Sequence, residues 1–232
     1  MILVAGGTGR LGTALVGRFT ARGEQVRVLT RDPRRASHLP PVEVAAGDVR
    51  RPDDLRPAMT GVDAVVSAVH GFAGRGVSPA SVNGDGNACL IEAAASVGAH
   101  VVLLSVLSAS PTHPIELFRT KAAAEDLLRR SRLPWTIVRA GASLELHRYI
   151  MRRTSGRSGR PLVFRRGESP VAFASVGEVA AVADRASDPS CRWQVIEVAR
   201  TNLTFNQRAL EGGRVATSPR LKARTVRSVR NG

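Results

Sequence analysis

The sequence is poor in cysteine, in aromatic residues and in long apolar runs, and each shortage excludes a class of protein. Cys89 and Cys191 are the only cysteines among 232 residues and do not lie at metal-ligand spacing, which excludes a disulfide framework and a zinc finger. No apolar run approaches roughly 18 residues, the length that a membrane-spanning helix needs. With an aromatic fraction of 4%, the core must be built from Val, Ala and Leu. We expect an aliphatic α/β protein without a metal site or a membrane span.

The first twelve residues predict a strand, a tight turn and the start of a helix. The apolar run from Ile2 to Ala5 ends at Gly6, and Gly9 and Gly12 follow at the start of an amphipathic stretch with helical spacing. Such glycines let the backbone approach a pyrophosphate closely while helix N-terminal amides point at it. We therefore predict a dinucleotide site, and the alternative is a glycine-rich turn that binds no ligand. Because Met1 leads directly into this strand, we expect no signal or transit peptide and a cytoplasmic location.

The end of the second predicted strand, residues 24–30, indicates which dinucleotide is preferred. A Rossmann unit meets the adenosine ribose there, and a site that prefers NAD(H) usually places Asp or Glu at this point. This chain has Thr30 followed by Arg31, with Arg34 and Arg35 close behind. Guanidinium groups suit a 2′-phosphate, so we predict that NADP(H) is preferred over NAD(H). The alternative is a solvated turn in which these arginines bind nothing.

Apolar runs alternate with helical periodicity along most of the chain. Further strands are predicted at residues 41–45, 62–69, 100–105, 135–139 and 194–198, with helices at 52–59, 81–97, 114–130 and 175–185. This alternation predicts a Rossmann-type, doubly wound parallel sheet, with the ligand crevice at the carboxyl ends of the strands. We expect one NAD(P)-binding domain over residues 1–200, in which residues from about 140 to 200 form a small C-terminal substrate-side region.

The net charge of +15 is spread unevenly. Residues 200–232 carry eight basic residues against one acidic residue, whereas the first 199 carry 26 against 18. We expect residues 201–232 to form a basic, flexible tail, because apolar periodicity is almost absent from residues 212–232. That stretch has no aromatic residue to stack on a base, so nucleic acid is not an expected partner. Residues 152–166, rich in arginine, predict a mobile loop or lid.

Several short segments resemble a known family in their order along the chain. They are Val-Ala-Gly-Gly-Thr-Gly-Arg-Leu-Gly at residues 4–12, Gly-Asp-Val at 47–49, Asp-Gly-Asn at 85–87, Lys121 with Glu125, and Trp-Thr-Ile-Val-Arg at 135–139. This order resembles the atypical short-chain dehydrogenases/reductases, and among them the NmrA-like, NAD(P)H-binding proteins, over residues 1–200. The branch includes quinone reductases, isoflavone-type reductases and redox-sensing regulators. The resemblance implies a small-molecule acceptor and leaves the substrate and the oligomeric state open.

The resemblance also implies roles for the matching residues. The pyrophosphate would be lined by Gly6, Thr8, Gly9, Arg10, Leu11 and Gly12, and the 2′-phosphate by Arg31 and Arg35. The adenine would meet Asp48 and Val49, and the nicotinamide ribose Ser67, Ala68, Val69 and Lys121. Ser105 and Lys121 are the candidate catalytic residues. From the residues alone, two alternatives stay open: Asp48 as a turn or capping aspartate, and Lys121 as an exposed lysine paired with Glu125.

One departure from the family pattern limits the chemistry. Leu117 stands four residues before Lys121, where typical short-chain reductases place the tyrosine that acts as general acid. A leucine cannot donate a proton to a developing alkoxide, and the sole tyrosine, Tyr149, lies far downstream. We therefore do not expect carbonyl reduction by the usual Ser–Tyr–Lys mechanism.

Three functions of different classes remain compatible with the sequence. The first is hydride transfer from NADPH to a quinone- or enone-like acceptor, which takes its second proton from water and is held by Ser105, His70 or His113. The second is a non-catalytic regulatory protein that senses NADP(H). The third is an assembly protein that docks a partner through its basic tail.

Overall fold

The computed structural model describes residues 1–71, 76–155, 168–199, 202–204 and 222–227. Its strands are β1 (Ile2–Ala5), β2 (Val26–Thr30), β3 (Glu43–Ala46), β4 (Ala64–Ser67), β5 (His100–Val106), β6 (Trp135–Ala140), β7 (Ala142–Ser143), β8 (Val171–Ala174), β9 (Gln194–Ala199), β10 (Asn202–Leu203) and β11 (Lys222–Arg227). Its α-helices are α1 (Arg10–Ala21), α2 (Pro52–Ala58), α3 (Asn87–Ala95), α4 (Glu116–Arg130), α5 (Leu144–Ser155) and α6 (Val176–Ala186).

The main sheet confirms the predicted Rossmann-type architecture. Its strand order is β11-β9-β6-β5-β4-β1-β2-β3, and all neighbours pair in parallel except β11, which runs antiparallel to β9. The order reverses between β1 and β4, so the crevice of a doubly wound sheet is expected beside β1. A small second sheet, in the order β10-β8-β7, lies on the C-terminal side.

Helices cover both faces of the sheet and explain why its central strands are buried throughout. On one face, α1 and α6 pack through Leu15, Phe19 and Ala183. On the other face, α2, α3 and α4 pack through residues such as Leu55 and Leu128. A parallel sheet covered in this way carries continuous apolar strands, which is the pattern that the sequence shows.

The predicted helix over residues 81–97 differs from the structure in its first half. Residues Pro79–Gly86 form a π-helical segment that begins with a capping box between Ser78 and Ser81, and α3 then starts at Asn87. The segment contains Gly84 and Gly86, which are poor helix formers. The wider turn lets Gly86 lie against Val49, where a Cβ atom would come within 2.8 Å of the Val49 side chain.

Two expectations about the arginine-rich C-terminal half need correction. The predicted loop at 152–166 is helical in its first four residues, since α5 extends to Ser155, and its remainder lies outside the described residues. Within the predicted flexible tail, β11 pairs along its whole length with β9, so the expectation of a structureless tail is wrong for Lys222–Arg227. Alternation of basic and small or β-branched residues there is compatible with an edge strand. In the part of the chain that the structure describes, no helix has the length and apolar character needed to cross a membrane.

Candidate cofactor site

A cavity of about 560 Å³ opens where β1, β2, β3 and β4 end. It lies at the carboxyl edge of the sheet and beside the point where the strand order reverses, as the sequence predicts. Of the residues predicted to bind a cofactor, those that line it are Gly6, Thr8, Gly9, Arg31, Arg35, Asp48, Val49, Ala68 and Val69. Arg10, Leu11, Gly12, Ser67 and Lys121 do not line it in the described structure.

The glycines shape the floor of this cavity. Gly6 has a φ of +84°, and a Cβ atom there would lie 2.7 Å from the carbonyl oxygen of Ala68. A Cβ atom on Gly12 would overlap the Gly6 carbonyl, so Gly12 lets α1 pack directly against the end of β1. A Cβ atom on Gly9 meets only the Gly6 carbonyl oxygen, at 3.3 Å. The motif therefore combines two functions: Gly6 and Gly12 permit close backbone packing, and Gly9 keeps the cavity open.

The N-terminus of α1 is available to an anion. Gly9 is the N-cap residue and provides no side-chain cap, and the first turn of α1 contains no acidic residue. The first amides of a helix have no intrahelical acceptor and carry the positive end of the helix dipole. An uncapped N-terminus beside a glycine-lined cavity is an arrangement suited to binding a pyrophosphate.

The end of β2 presents guanidinium groups to the cavity. Arg31 is exposed, lines the cavity and forms no ion pair with a carboxylate of the described residues. Asp32, which the sequence reasoning did not assign, also lines the cavity. Its carboxylate accepts hydrogen bonds from the backbone amide of Arg34, at 3.2 Å, and from Nε of Arg34, at 3.0 Å. The hydrogen bond from the Arg34 side chain lowers the pKa of Asp32.

The Asp32–Arg34 contact is the turn that the sequence offered as an alternative. Asp32 caps a 3-10 helix at Pro33–Ala36, and the Asp-Pro pair is the signal that could have identified this cap. The turn does not remove Arg31 or Arg35 from the cavity. Asp32 thus caps the 3-10 helix while Arg31 still lines the cavity.

Asp48 combines a structural contact with a position on the cavity wall. Its carboxylate accepts from Nη2 of Arg50 at 2.6 Å and from the backbone amide of Arg50 at 3.0 Å. The side-chain hydrogen bond from Arg50 lowers the pKa of Asp48. Arg50 also donates to the carbonyl oxygen of Gly76, at 2.7 Å, and so joins the segments that follow β3 and β4. Asp48 therefore forms the turn contact that the alternative describes. That its carboxylate also accepts a hydrogen bond from an adenine amino group stays a prediction.

Ser67 lies behind the cavity in a buried polar network. Its hydroxyl donates to Oδ1 of Asn87 at 2.5 Å, and Nδ2 of Asn87 donates to the carbonyl oxygen of Asn83 at 2.8 Å. Oδ1 of Asn83 accepts from the backbone amide of Gly71 at 3.3 Å. Both asparagines are fully buried, and sequence reasoning gave neither a role at the site. Their signal was the Asn-x-x-x-Asn spacing, which places both side chains on one face of a helical segment.

Lys121 is buried behind the wall and bonded to it. Its side chain is 3% exposed, and Nζ donates to the carbonyl oxygens of Leu104, at 2.7 Å, and Val69, at 3.3 Å. Burial lowers the pKa of Lys121 to about 8, and the carboxylate of Glu125 opposes this shift. The alternative of an exposed helical lysine is therefore wrong. Direct contact with a nicotinamide ribose stays a prediction.

Ser105 is engaged in a buried ion cluster. Its hydroxyl donates to Oε1 of Glu125 at 2.5 Å, and Glu125 is 1% exposed. The same carboxylate accepts from Arg129 at 3.0 Å and from Arg139 at 2.6 Å. A buried carboxylate with these three donors is satisfied. Ser105 thus completes the surroundings of Glu125, and it does not line the cavity.

Leu117 and the two histidines suggested to hold an acceptor lie in different surroundings. Leu117 is half-buried in α4, and no tyrosine lies at that position. His70 lines the cavity, and desolvation by the surrounding protein lowers its pKa, with a contribution from the Lys121 ammonium. His113 stacks on Phe118 with the ring centroids 4.0 Å apart and does not line the cavity. Of the three residues suggested to hold an acceptor, only His70 lines the cavity.

Fold and cavity together define the class of Rossmann-type, dinucleotide-binding proteins. A sequence model described as NAD(P)H-binding matches residues 6–182. The chain belongs to this NAD(P)H-binding family. Among the described residues, no group of three or more His, Cys, Asp or Glu side chains is placed to hold a metal ion.

Curated relatives include both enzymes and assembly factors. An NAD(P)H azoreductase of Xenophilus azovorans is 32% identical over 191 residues, which cover 80% of this chain and 63% of that protein. The photosystem II assembly factor Ycf39 of Synechocystis is 29% identical over 191 residues, which cover 80% of this chain and 57% of that protein. The matched region spans less than two thirds of the length of each of these relatives.

Solved structures support the fold. Triphenylmethane reductase from Citrobacter, complexed with NADP(H), superposes with a TM-score of 0.76 at 24% identity, covering 90% of this chain and 73% of that one. The Bordetella bronchiseptica enzyme WbmG in complex with NAD has a TM-score of 0.75 at 18% identity, covering 90% of this chain and 75% of that one. At these identities the likeness concerns the architecture alone.

Proposed function

We propose that this protein binds NADPH and transfers hydride from it to a quinone- or enone-like small molecule. The observation that carries this proposal is the glycine-floored cavity at the switch point of the sheet, with Arg31 at one end and the uncapped N-terminus of α1 beside it. Membership of the NAD(P)H-binding family and the relatedness to an NAD(P)H azoreductase support it.

The residues around the cavity suit a phosphorylated dinucleotide. The amides of Arg10 and Leu11, at the start of α1, would donate to the pyrophosphate, and Arg31 with Arg35 would meet a 2′-phosphate. Val49, Ala68 and Val69 supply apolar surface for the rings. When bound, a reduced nicotinamide supplies the hydride, and the protein contributes position and exclusion of water.

The absence of a tyrosine at position 117 favours acceptors that need no general acid from the protein. The Ser105 hydroxyl donates a hydrogen bond to Glu125, so it is not directed at a substrate in this arrangement. A quinone or an enone accepts hydride at an electron-poor position and takes a proton from water afterwards. Of the three residues suggested to hold the acceptor, His70 lines the cavity and would hydrogen-bond it.

A second candidate function is a non-catalytic sensor of NADP(H). This function is favoured because Ser105 and Lys121, the two candidate catalytic residues, are both held in buried hydrogen bonds within the protein. Arg50 bonds both to Asp48 on the cavity wall and to the carbonyl oxygen of Gly76, which would give a route from an occupied cavity to the surface.

An assembly role through the basic tail remains a third candidate, supported by the relatedness to Ycf39. Deleting residues 212–232 would not test this role cleanly. The deletion would remove β11 and expose the edge of β9, to which all six residues of β11 pair.

Calorimetric titration with NADPH and NADH tests the proposal first. The NADPH-loaded protein is then mixed with quinones and enones while absorbance of the reduced nicotinamide is followed. Micromolar binding of NADPH with oxidation by an acceptor is the expected result. Binding without oxidation by the panel would favour the sensor, and no binding of either dinucleotide would overturn both.

A further inference from the structure

The helix α5 carries an exposed apolar face. Leu146, Tyr149 and Ile150 are 41%, 45% and 39% exposed, and their spacing of three and four residues places them on one side of the helix. The opposite side packs on the protein: His147 meets the buried ring of Phe173, with centroids 5.1 Å apart. We call these three exposed side chains the α5 patch.

The α5 patch lies next to the glycine motif. The helix follows β6 and β7, so it starts from the carboxyl edge of the sheet, where the cavity opens. The guanidinium carbon of Arg10 lies 5.5 Å from the centre of the Tyr149 ring. Arg10 directly follows Gly9, which lines the cavity. The tyrosine that is remote in sequence is therefore a neighbour of the glycine motif.

The surroundings of the patch are cationic. Nη1 of Arg153 donates to the hydroxyl of Tyr149 at 3.0 Å, and its guanidinium carbon lies 5.7 Å from the ring centre. Within the described residues, neither Arg10 nor Arg153 forms an ion pair with a carboxylate. Glu145, the acidic residue of α5, accepts from the backbone amide of Val176 at 3.0 Å and is directed away from the patch.

Tyr149 lies close to two guanidinium groups, neither of which pairs with a carboxylate of the described residues, and this combination is suited to one chemical class of ligand. The ring and its aliphatic neighbours offer flat apolar contact, and stacking holds the guanidinium groups in place for an anion. The apolar part of the surface is limited to three side chains beside two cations, which a planar molecule with one anionic group would cover.

We infer that the α5 patch binds the electron acceptor, and that this acceptor is a planar apolar molecule with an anionic substituent, such as a sulfonate or a carboxylate. The inference rests on the proposed function, because it takes the acceptor to lie beside a dinucleotide in the cavity. It deepens that function by naming the substrate class and assigning Tyr149 and Arg153 to its recognition.

Binding of two matched probes tests the inference without turnover. Naphthalene-2-sulfonate and the uncharged naphthalene-2-sulfonamide share ring and shape, and each is titrated by calorimetry with and without NADP⁺. We expect the sulfonate to bind about tenfold more tightly, as expected for one charge-assisted hydrogen bond. Arg153→Gln should remove this preference, and Tyr149→Ala should weaken the binding of both probes. Arg148 is an exposed arginine on another side of α5, so Arg148→Gln is the matched control. It should change neither the affinity for the two probes nor the preference for the sulfonate.

Several outcomes would overturn the inference. The first is equal affinity of the protein for the two probes. The second is a preference for the sulfonate that survives in Arg153→Gln. The third is a loss of that preference in Arg148→Gln as large as in Arg153→Gln. Tyr149-dependent binding to vesicles of an anionic phospholipid, without affinity for the sulfonate, would instead indicate a membrane surface. Because probe binding is separate from NADPH oxidation, failure of every acceptor to oxidise NADPH would count against the proposed function and leave the binding result standing.

Discussion

The ammonium group of Lys121 donates a 2.7 Å hydrogen bond to the backbone carbonyl oxygen of Leu104 and a longer one to that of Val69. These contacts join α4 to the carboxyl ends of β5 and β4, directly behind the cavity wall. On the same stretch of wall, the side chain of Asn83 accepts from the amide of Gly71. The segment that carries His70 is thus held from behind by two buried side chains.

Replacing Lys121 tests whether it positions the wall or contacts the cofactor. Lys121→Met leaves the carbonyls of Leu104 and Val69 without their donor, so we expect the free energy of unfolding to fall by about 2 kcal/mol, with weaker NADPH binding as a consequence. Urea unfolding and NADPH titration of the same variant measure both effects. Unchanged stability with lost NADPH affinity would instead assign Lys121 to the ribose.

Substitutions at two glycines of the motif should affect different properties, dinucleotide binding at Gly9 and folding stability at Gly12. Gly9→Val should abolish dinucleotide binding with little loss of stability, because a Cβ atom at position 9 meets one atom at 3.3 Å. Gly12→Ala should destabilise the protein, since its Cβ atom overlaps the Gly6 carbonyl. Gly17→Ala, in α1 with open space around it, is the control and should keep binding. Thermal unfolding and NADPH calorimetry compare the three, and tight binding by Gly9→Val would contradict the pyrophosphate assignment.

Charge at the end of β2 should decide between the two dinucleotides. Arg31→Asp places a carboxylate where Arg31 now lines the cavity, so NADPH affinity should fall at least tenfold while NADH affinity stays level or rises. Arg56→Asp, an exposed arginine of α2 outside the cavity, serves as the charge-matched control. Titration with both dinucleotides measures the ratio. An equal change for NADPH and NADH would show that Arg31 does not meet the 2′-phosphate.

His100 should make the fold sensitive to mild acid. Burial, with repulsion from Arg192, lowers the pKa of His100 to about 4, while its Nε2 lies 2.9 Å from the hydroxyl of Thr136. The unfolded chain binds the proton more readily, so the free energy of unfolding should fall as the pH drops from about 6.5 to 4, by up to about 3 kcal/mol. Urea unfolding across this range measures the loss. His100→Asn should lack this component, and an identical pH slope in that variant would refute the assignment.

Spacing along the sequence was sufficient for the architecture and for most of the cavity. Continuous apolar runs identify buried strands and a period of 3.6 residues identifies helices, so strands β1 to β6 and β9 were predictable within one or two residues at most ends. Spaced glycines directly after a strand indicate that two backbone segments, or a backbone segment and a ligand, lie close together at that point. For this reason Gly6, Gly9 and Arg31 were predicted to meet at the same edge, and they do.

Partners of buried polar groups were not predictable in this way. Ser105 was a candidate catalytic residue, yet its hydroxyl donates to Glu125, twenty residues later in the chain. Asn83, in the π-helical segment, and Asn87, at the start of α3, lie behind the cavity and hydrogen-bond to Gly71 and Ser67. Such contacts depend on distances between separate elements, which local periodicity does not encode.

The sequence by itself determined a Rossmann-type sheet, a glycine motif at the end of its first strand and a cationic end to its second. Local propensity and the order of apolar runs, glycines and arginines specify these features, because they involve residues close together in the chain. Only the tertiary structure decided that Lys121 lies buried behind Val69, that β11 pairs with β9, and that Tyr149 stands beside Arg10. Each of these depends on packing between distant segments, where desolvation and geometry select the partner.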